Sequence, residues 1–281
     1  MAQPNLFSDL SLDPLILSGL AVLTAQALYY AIYWFLGGRA QKERAMEGFE
    51  HVILSGALFG VALVLVNFAL WGLNVYLDLA GIKPPPGGAI EILSQIRGWQ
   101  DFGANVQTAL RIAASTYQSY MGAAWGILAG YMASVIGTGI LPWTSPISMA
   151  IMNGMAYIVT AATTILISAA VYGVAAAMAY GWSALLPVGA VLVTYERTRH
   201  LGAWLLAVSV VAPIVLAAGA DVLKSAVNPI ILLTPLTATP YGAMPLIQAM
   251  VLLGLIGLAL SVLTYAASRL FDHAGASLAL E

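Results

Sequence analysis

After Arg111 the chain carries no Asp, Glu, Lys or Arg until Glu196, and then Glu196, Arg197, Arg199 and His200 fall within five positions. Arginines at this density can hold carboxylates or phosphates through bidentate hydrogen bonds, so the group suits docking to an acidic partner, an ATPase or a phosphate backbone. Two arginines alone do not make a nucleic-acid site. The plainer reading is a charged loop with Glu196 and His200 paired one helical turn apart. A second group, Gln95, Gln100, Asn105, Gln107 and Arg111, is polar and nearly uncharged. It can line a polar path or face a partner. Catalysis has no visible machinery: the sequence holds no P-loop, no GxSxG and no HExxH. His51, His200 and His273 each have a carboxylate near in sequence (Glu50, Glu196, Asp272), but none shows ligand spacing on two facing helices. The absence of cysteine excludes disulfides, thiolate catalysis and Cys-ligated metal centres. The expectation is a protein that is not an enzyme and carries no cofactor or metal.

What must position these residues follows from composition. Of 281 residues, 61% are apolar, with ten Lys/Arg and twelve Asp/Glu. A soluble domain has about 25% charged residues, so the chain reads as an integral membrane protein. The stretch MAQPNLFSDLSLD has two acids and no Lys or Arg, so it lacks the basic start of a secretory signal, and the first apolar block is expected to be a retained span.

The blocks predict an all-α, polytopic bundle of about seven spans forming a single membrane domain over 1–281. The first, about Pro14 to Leu36, ends in RAQKERAMEGFEH; the second, about Val52 to Tyr76, stops at the Pro84 to Gly88 break, and the two form a helical hairpin. From Ala89 to Gln118, residues Ile92, Ile96, Trp99, Val106, Leu110, Ala113 and Tyr117 make one apolar stripe. This predicts an amphipathic extracytoplasmic helix of about 30 residues, which either anchors a loop at the interface or lines a polar path. The third block, Tyr120 to Ile140, carries Gly122, Gly126 and Gly130 at the spacing that lets helices approach closely. After a turn at Leu141 to Pro146, residues 147–194 are read as two short spans reversing near Val171 to Ala175, or as one helix in a six-span chain. Pro187 and Gly189 are expected to break the helix and deliver the basic turn to one membrane face. The block from about Leu201 to Val222 contains Pro213, a further candidate break, and is followed by Asp221 and Lys224 at pairing distance along one helix face. Residues 228–245 hold four prolines and predict an irregular segment; the last block ends at Arg269. Gln26, Asn67, Asn74 and Asn153 lie inside apolar blocks, where polar side chains commonly join helices.

Seven spans with the N-terminus outside put Arg39, Lys42, Arg44, Arg197, Arg199 and Arg269 in the cytoplasm together with the C-terminus. That agrees with the positive-inside rule for a cell-membrane protein. Six spans would carry Arg197 and Arg199 to the other side.

The pattern Leu186-Pro187-x-Gly189, Leu192, Thr198-Arg199, Gly202 and then an apolar span with Pro213 resembles the break region of polytopic membrane subunits in type IV secretion and conjugation machines. It is most similar to archaeal members such as the membrane subunit of the crenarchaeal DNA-exchange (Ced) system. Members of that family often place a basic residue and a proline before the Thr-Arg pair, where this chain has Val193-Thr194-Tyr195-Glu196-Arg197. The resemblance implies a channel or scaffold subunit for DNA import, homo-oligomeric, energised by a separate HerA-type hexameric ATPase and associated with small pilin-like membrane proteins. A small-solute permease is the alternative. The lack of any mid-span acid or base weighs against it.

Overall fold

The computed structural model describes residues 14–80, 86–96, 102–139, 155–178, 181–228 and 244–278, with the isolated residues 146, 149 and 153. Among them every regular element is a helix: α1 (Pro14–Leu36), α2 (Arg39–Ala80), α3 (Ala89–Ser94), α4 (Phe102–Gly139), α5 (Ala156–Met178), α6 (Trp182–Val193), α7 (Arg199–Ala226) and α8 (Met244–Leu278). Six of these, α1, α2, α4, α5, α7 and α8, are long and apolar enough to cross a membrane. The chain is an all-α, polytopic helical membrane protein.

The central helix is α7. In its most apolar window 61% of residues are buried, against 6% for α1, so α7 is wrapped by protein while α1 lies at the periphery. Around it pack α4, α6 and α8, with α5 filling the gap between α4 and α8. Side-chain hydroxyls fix the heights of these helices by donating to backbone carbonyls. Tyr117 of α4 donates to Leu216 (3.0 Å), Tyr120 to Leu223 (3.0 Å), and Tyr172 of α5 to Leu253 of α8 (2.8 Å). Buried phenols without such acceptors would cost about 1–3 kcal/mol each.

Four sequence expectations change. The helix expected over 89–118 is two: α3 ends at Ser94, while α4 begins at Phe102 and runs through to Gly139, absorbing the block expected to start at Tyr120. No proline or turn separates Gln118 from Tyr120, and Tyr117 and Tyr120 are both anchored on α7. The stripe does not lie on a surface: Val106, Leu110, Ala113 and Tyr117 are all fully buried in the core.

No reversal occurs at Val171 to Ala175, which lie inside α5. α5 ends at Met178 and the short helix α6 starts at Trp182, so the second half of the 147–194 block is a half-length helix of about 18 Å.

Pro187, Gly189 and Pro213 are not breaks. Helix α6 runs through the first two and α7 through the third. Pro187 lies in the second turn of α6, where it removes the N–H that would reach the carbonyl four residues back, yet the helix continues through it to Val193. Pro213 frees the carbonyl four residues back, on Ser209, and the buried indole of Trp182 donates its N–H to that carbonyl. The proline's lost bond is replaced from α6.

Asp221 does not pair with Lys224. It is 2% exposed, and its two oxygens accept from the N–H groups of Ala89 (3.0 Å) and Ile90 (2.7 Å), capping α3 from another helix. Gly88, at the N-cap position, has no side chain to do so. The prolines of residues 229–243, Gln100, and most of the turn at 141–146 lie outside the described residues.

Candidate functional site: a basic end and a polar helix face

The turn between α6 and α7 is clamped from both sides. Tyr195 places its hydroxyl 2.6 Å from that of Tyr30 and accepts from Gln26 Nε2 (2.9 Å), and its ring packs on His51 at 5.0 Å. Thr194 and Ser55 bring their hydroxyls within 3.5 Å. These contacts tie the turn to the α1–α2 hairpin. On the opposite side His200 Nδ1 lies 3.1 Å from Asp272 of α8, so its carboxylate partner is Asp272 and not Glu196. A Cβ on Gly275 would stand 2.5 Å from the Val193 side chain, which shows how tightly the end of α8 closes on the turn.

The sequence-predicted docking group therefore divides. Glu196, Arg197 and His200 are exposed, whereas Arg199 is half-buried, its Nε enclosed without a hydrogen-bond partner. Arg197 is the side chain free to grip an anion. Because the turn packs against His51 and Asp272, it shares one end of the bundle with the start of α2 (Arg39, Lys42, Arg44) and the end of α8 (Arg269). The six cations expected on one side are thus at one end, although the long apolar helices number six among the described residues. The parity holds because α4 does not start at the far end. Its first residue, Phe102, packs on Trp182 at 5.7 Å, and Trp182 bonds to Ser209, ten residues into α7.

The second group lies on the outer face of α4. Ala104, Thr108, Arg111, Ser115, Gln118 and Gly122 are exposed and follow one helical face. Asn105 and Gln107 flank it half-buried, and Gln95 is exposed on the residue that closes α3. Thr108 and Ser115 satisfy their own hydroxyls on the carbonyls of Ala104 and Ile112 (both 2.8 Å), which leaves Arg111 and Gln118 as the groups facing outward with donors to spare. Among the described residues Arg111 has no ion pair. Phe102 at the level of Ser209 and Tyr120 at the level of Leu223 bracket it, so Arg111 is level with the middle of α7. Above it the face opens into a polar cleft of about 380 Å³ lined by Ser115, Thr116, Ser119, Tyr120, Lys224 and Asn228.

Of the three small residues expected to mediate packing, Gly122 and Gly126 are exposed and Gly130 half-exposed; a Cβ on Gly122 would meet nothing within 4 Å. They continue the outward face of α4. Close approaches inside the bundle occur elsewhere, at Gly19, Gly48, Gly189, Gly202, Gly219, Gly257 and Gly275. The sequence pattern named Gly189 as a helix break and not as a packing position. No family model, curated protein or solved structure matches the chain.

Proposed function

We propose that the chain is a channel or scaffold subunit of a conjugation-like DNA import machine in the cell membrane, assembled from several copies and driven by a separate HerA-type hexameric ATPase. Small pilin-like membrane proteins are its other expected partners. The observation that carries this reading is the polar outer face of α4 with Arg111 level with the middle of α7. In lipid, an arginine at that depth costs roughly 2.5–3.5 kcal/mol. Copies arranged with this face inward place it in water, and an unpaired guanidinium on a polar wall suits a passing phosphate chain. Gly122 and Gly126 continue the same uncovered face above it and add no bulk to that wall. The positive-inside rule makes the basic end cytoplasmic, with the start of α1 outside and Arg197 facing the motor. The absence of a nucleotide-binding motif fits a separate ATPase.

The test is import of labelled DNA by cells whose only copy carries Arg111→Glu or Arg111→Lys. Charge reversal is expected to lower import by about tenfold or more, with Lys retaining most of it and both variants inserted at normal levels. Undiminished import by Arg111→Glu would remove the path-lining role. Solute flux from liposomes containing this protein alone would replace the reading with a permease.

A further inference from the structure

A groove lies between α6, α7 and α8, with a cavity of about 780 Å³. Its walls are apolar, formed by Trp182, Leu185, Leu205, Val208, Ala212 and Leu260. It extends from Ala212, near the middle of α7, down to Trp204 and Ser268 near the basic end. Along α7 that distance is about 12–15 Å, close to one leaflet of a hydrocarbon core of about 30 Å.

Three further features mark its occupant. The mouth carries Trp204 and Tyr265, 52% and 62% exposed, an aromatic pair of the kind that sits at headgroup level. Arg269 stands beside them: its Nε and Nη2 lie 3.2 and 3.0 Å from the Tyr265 hydroxyl, and its guanidinium lies over that ring at 5.3 Å. Thr264 lines the groove between mouth and floor; it is 7% exposed, yet its hydroxyl has no hydrogen-bond partner. An enclosed hydroxyl on an apolar wall calls for an acceptor, because leaving it unpaired costs about 1–3 kcal/mol.

We infer that this groove is a binding site for one anionic phospholipid. Its chain fills the apolar trough, a carbonyl or ether oxygen of its glycerol region accepts from Thr264, and its phosphate meets Arg269 at the mouth. The volume is within the range of about 300–1,000 Å³ typical of built ligand sites. A soluble apolar molecule would make no use of Arg269, and a zwitterionic lipid brings a cation beside its phosphate, so a headgroup of net negative charge suits the guanidinium best. The site is independent of DNA transport: it lies on the side of α7 that faces α6 and α8, and the polar face of α4 takes no part in it.

The experiment uses the full-length protein in nanodiscs doped with phosphatidylglycerol or phosphatidylcholine bearing a photoactivatable diazirine on one chain, with cross-links mapped by peptide mass spectrometry. Labelling is expected to concentrate on Leu185, Leu205 and Leu260. Phosphatidylglycerol should be favoured by about fivefold, the factor that one basic residue near the surface supplies. Arg269→Gln should remove the preference for the anionic lipid while leaving chain labelling in place. Ala184→Trp, which fills the trough from an exposed position, should remove the labelling itself. Labelling spread evenly over exposed positions of α1, α2 and α8, or equal labelling by the two lipids in the unaltered protein, would overturn the site. A preference that survives Arg269→Gln would overturn the assignment of the headgroup contact.

Discussion

Gly202 determines how closely α6 can lie on α7. A Cβ there would be 2.4 Å from the backbone nitrogen of Val193 and 2.9 Å from the carbonyl oxygen of Gly189, atoms that cannot rotate away. Gly202→Ala must therefore push the two helices apart, along with the Trp182 bond to Ser209 that their spacing supports. The expected loss is about 1–3 kcal/mol, the usual cost of overpacking a close contact. Gly122→Ala is the control: its Cβ meets nothing within 4 Å, and it gains the helix preference of alanine over glycine, about 1 kcal/mol. Thermal unfolding in detergent should show Gly202→Ala lowered and Gly122→Ala unchanged or raised. Equal melting temperatures for the two variants would refute the backbone-contact reading. Gly189 and Gly202 lie within one short stretch of sequence, and their close contacts across α6 and α7 give both a packing reason. Glycine spacing alone pointed to Gly122, Gly126 and Gly130, because a helical sequence does not reveal which of its faces meets a neighbour.

At the scale of elements, apolar block lengths located α1 and α7 within a few residues, whereas α2 begins at Arg39, well before the apolar block, and α8 runs on past Arg269 to Leu278, because a helix continues through charged turns outside the apolar stretch. They misplaced α4 and α6. A polar first half made α4 look like two elements, although a helix continues wherever nothing stops it. A proline made α6 look broken, although the helix runs through it from Trp182 to Val193. The cap of α3 was invisible for a different reason: the acceptor comes from Asp221, more than 130 residues away. That contact makes α3 dependent on α7. Asp221→Ala removes both acceptors and should cost about 0.5–2 kcal/mol, the range for a lost helix cap. Because the whole cost falls on one six-residue helix, the amides of α3 should exchange hydrogen much faster while those of α7 stay protected. Asp221→Asn, keeping one acceptor, should lie between. Faster exchange spread uniformly over α4, α7 and α8 would mean that Asp221 holds the bundle and not α3.

For the whole molecule the decisive feature is its polarity of charge. Arg44, Arg197 and Arg269 come from α2, the α6–α7 turn and α8, yet contacts through His51, Tyr195 and Asp272 gather these segments at one end. Lys224 lies at the opposite end of α7, more than 20 residues on. Counting blocks linked this arrangement to seven spans. The structure reaches it with six long helices, because α4 enters at the level of Ser209 and α6 completes the descent begun by α5. The native chain has no cysteine, so each position can be examined singly. Arg44→Cys, Arg197→Cys and Arg269→Cys should all resist a membrane-impermeant maleimide added to intact cells and react once the membrane is opened, whereas Lys224→Cys should react from outside. If Arg197→Cys labels with Lys224→Cys, α7 does not cross, and the bundle has the wrong helix at its centre. If Arg44→Cys and Arg197→Cys label from opposite sides, the Tyr195 contacts to Tyr30 and His51 cannot exist in the membrane. The basic end would then be two separate surfaces.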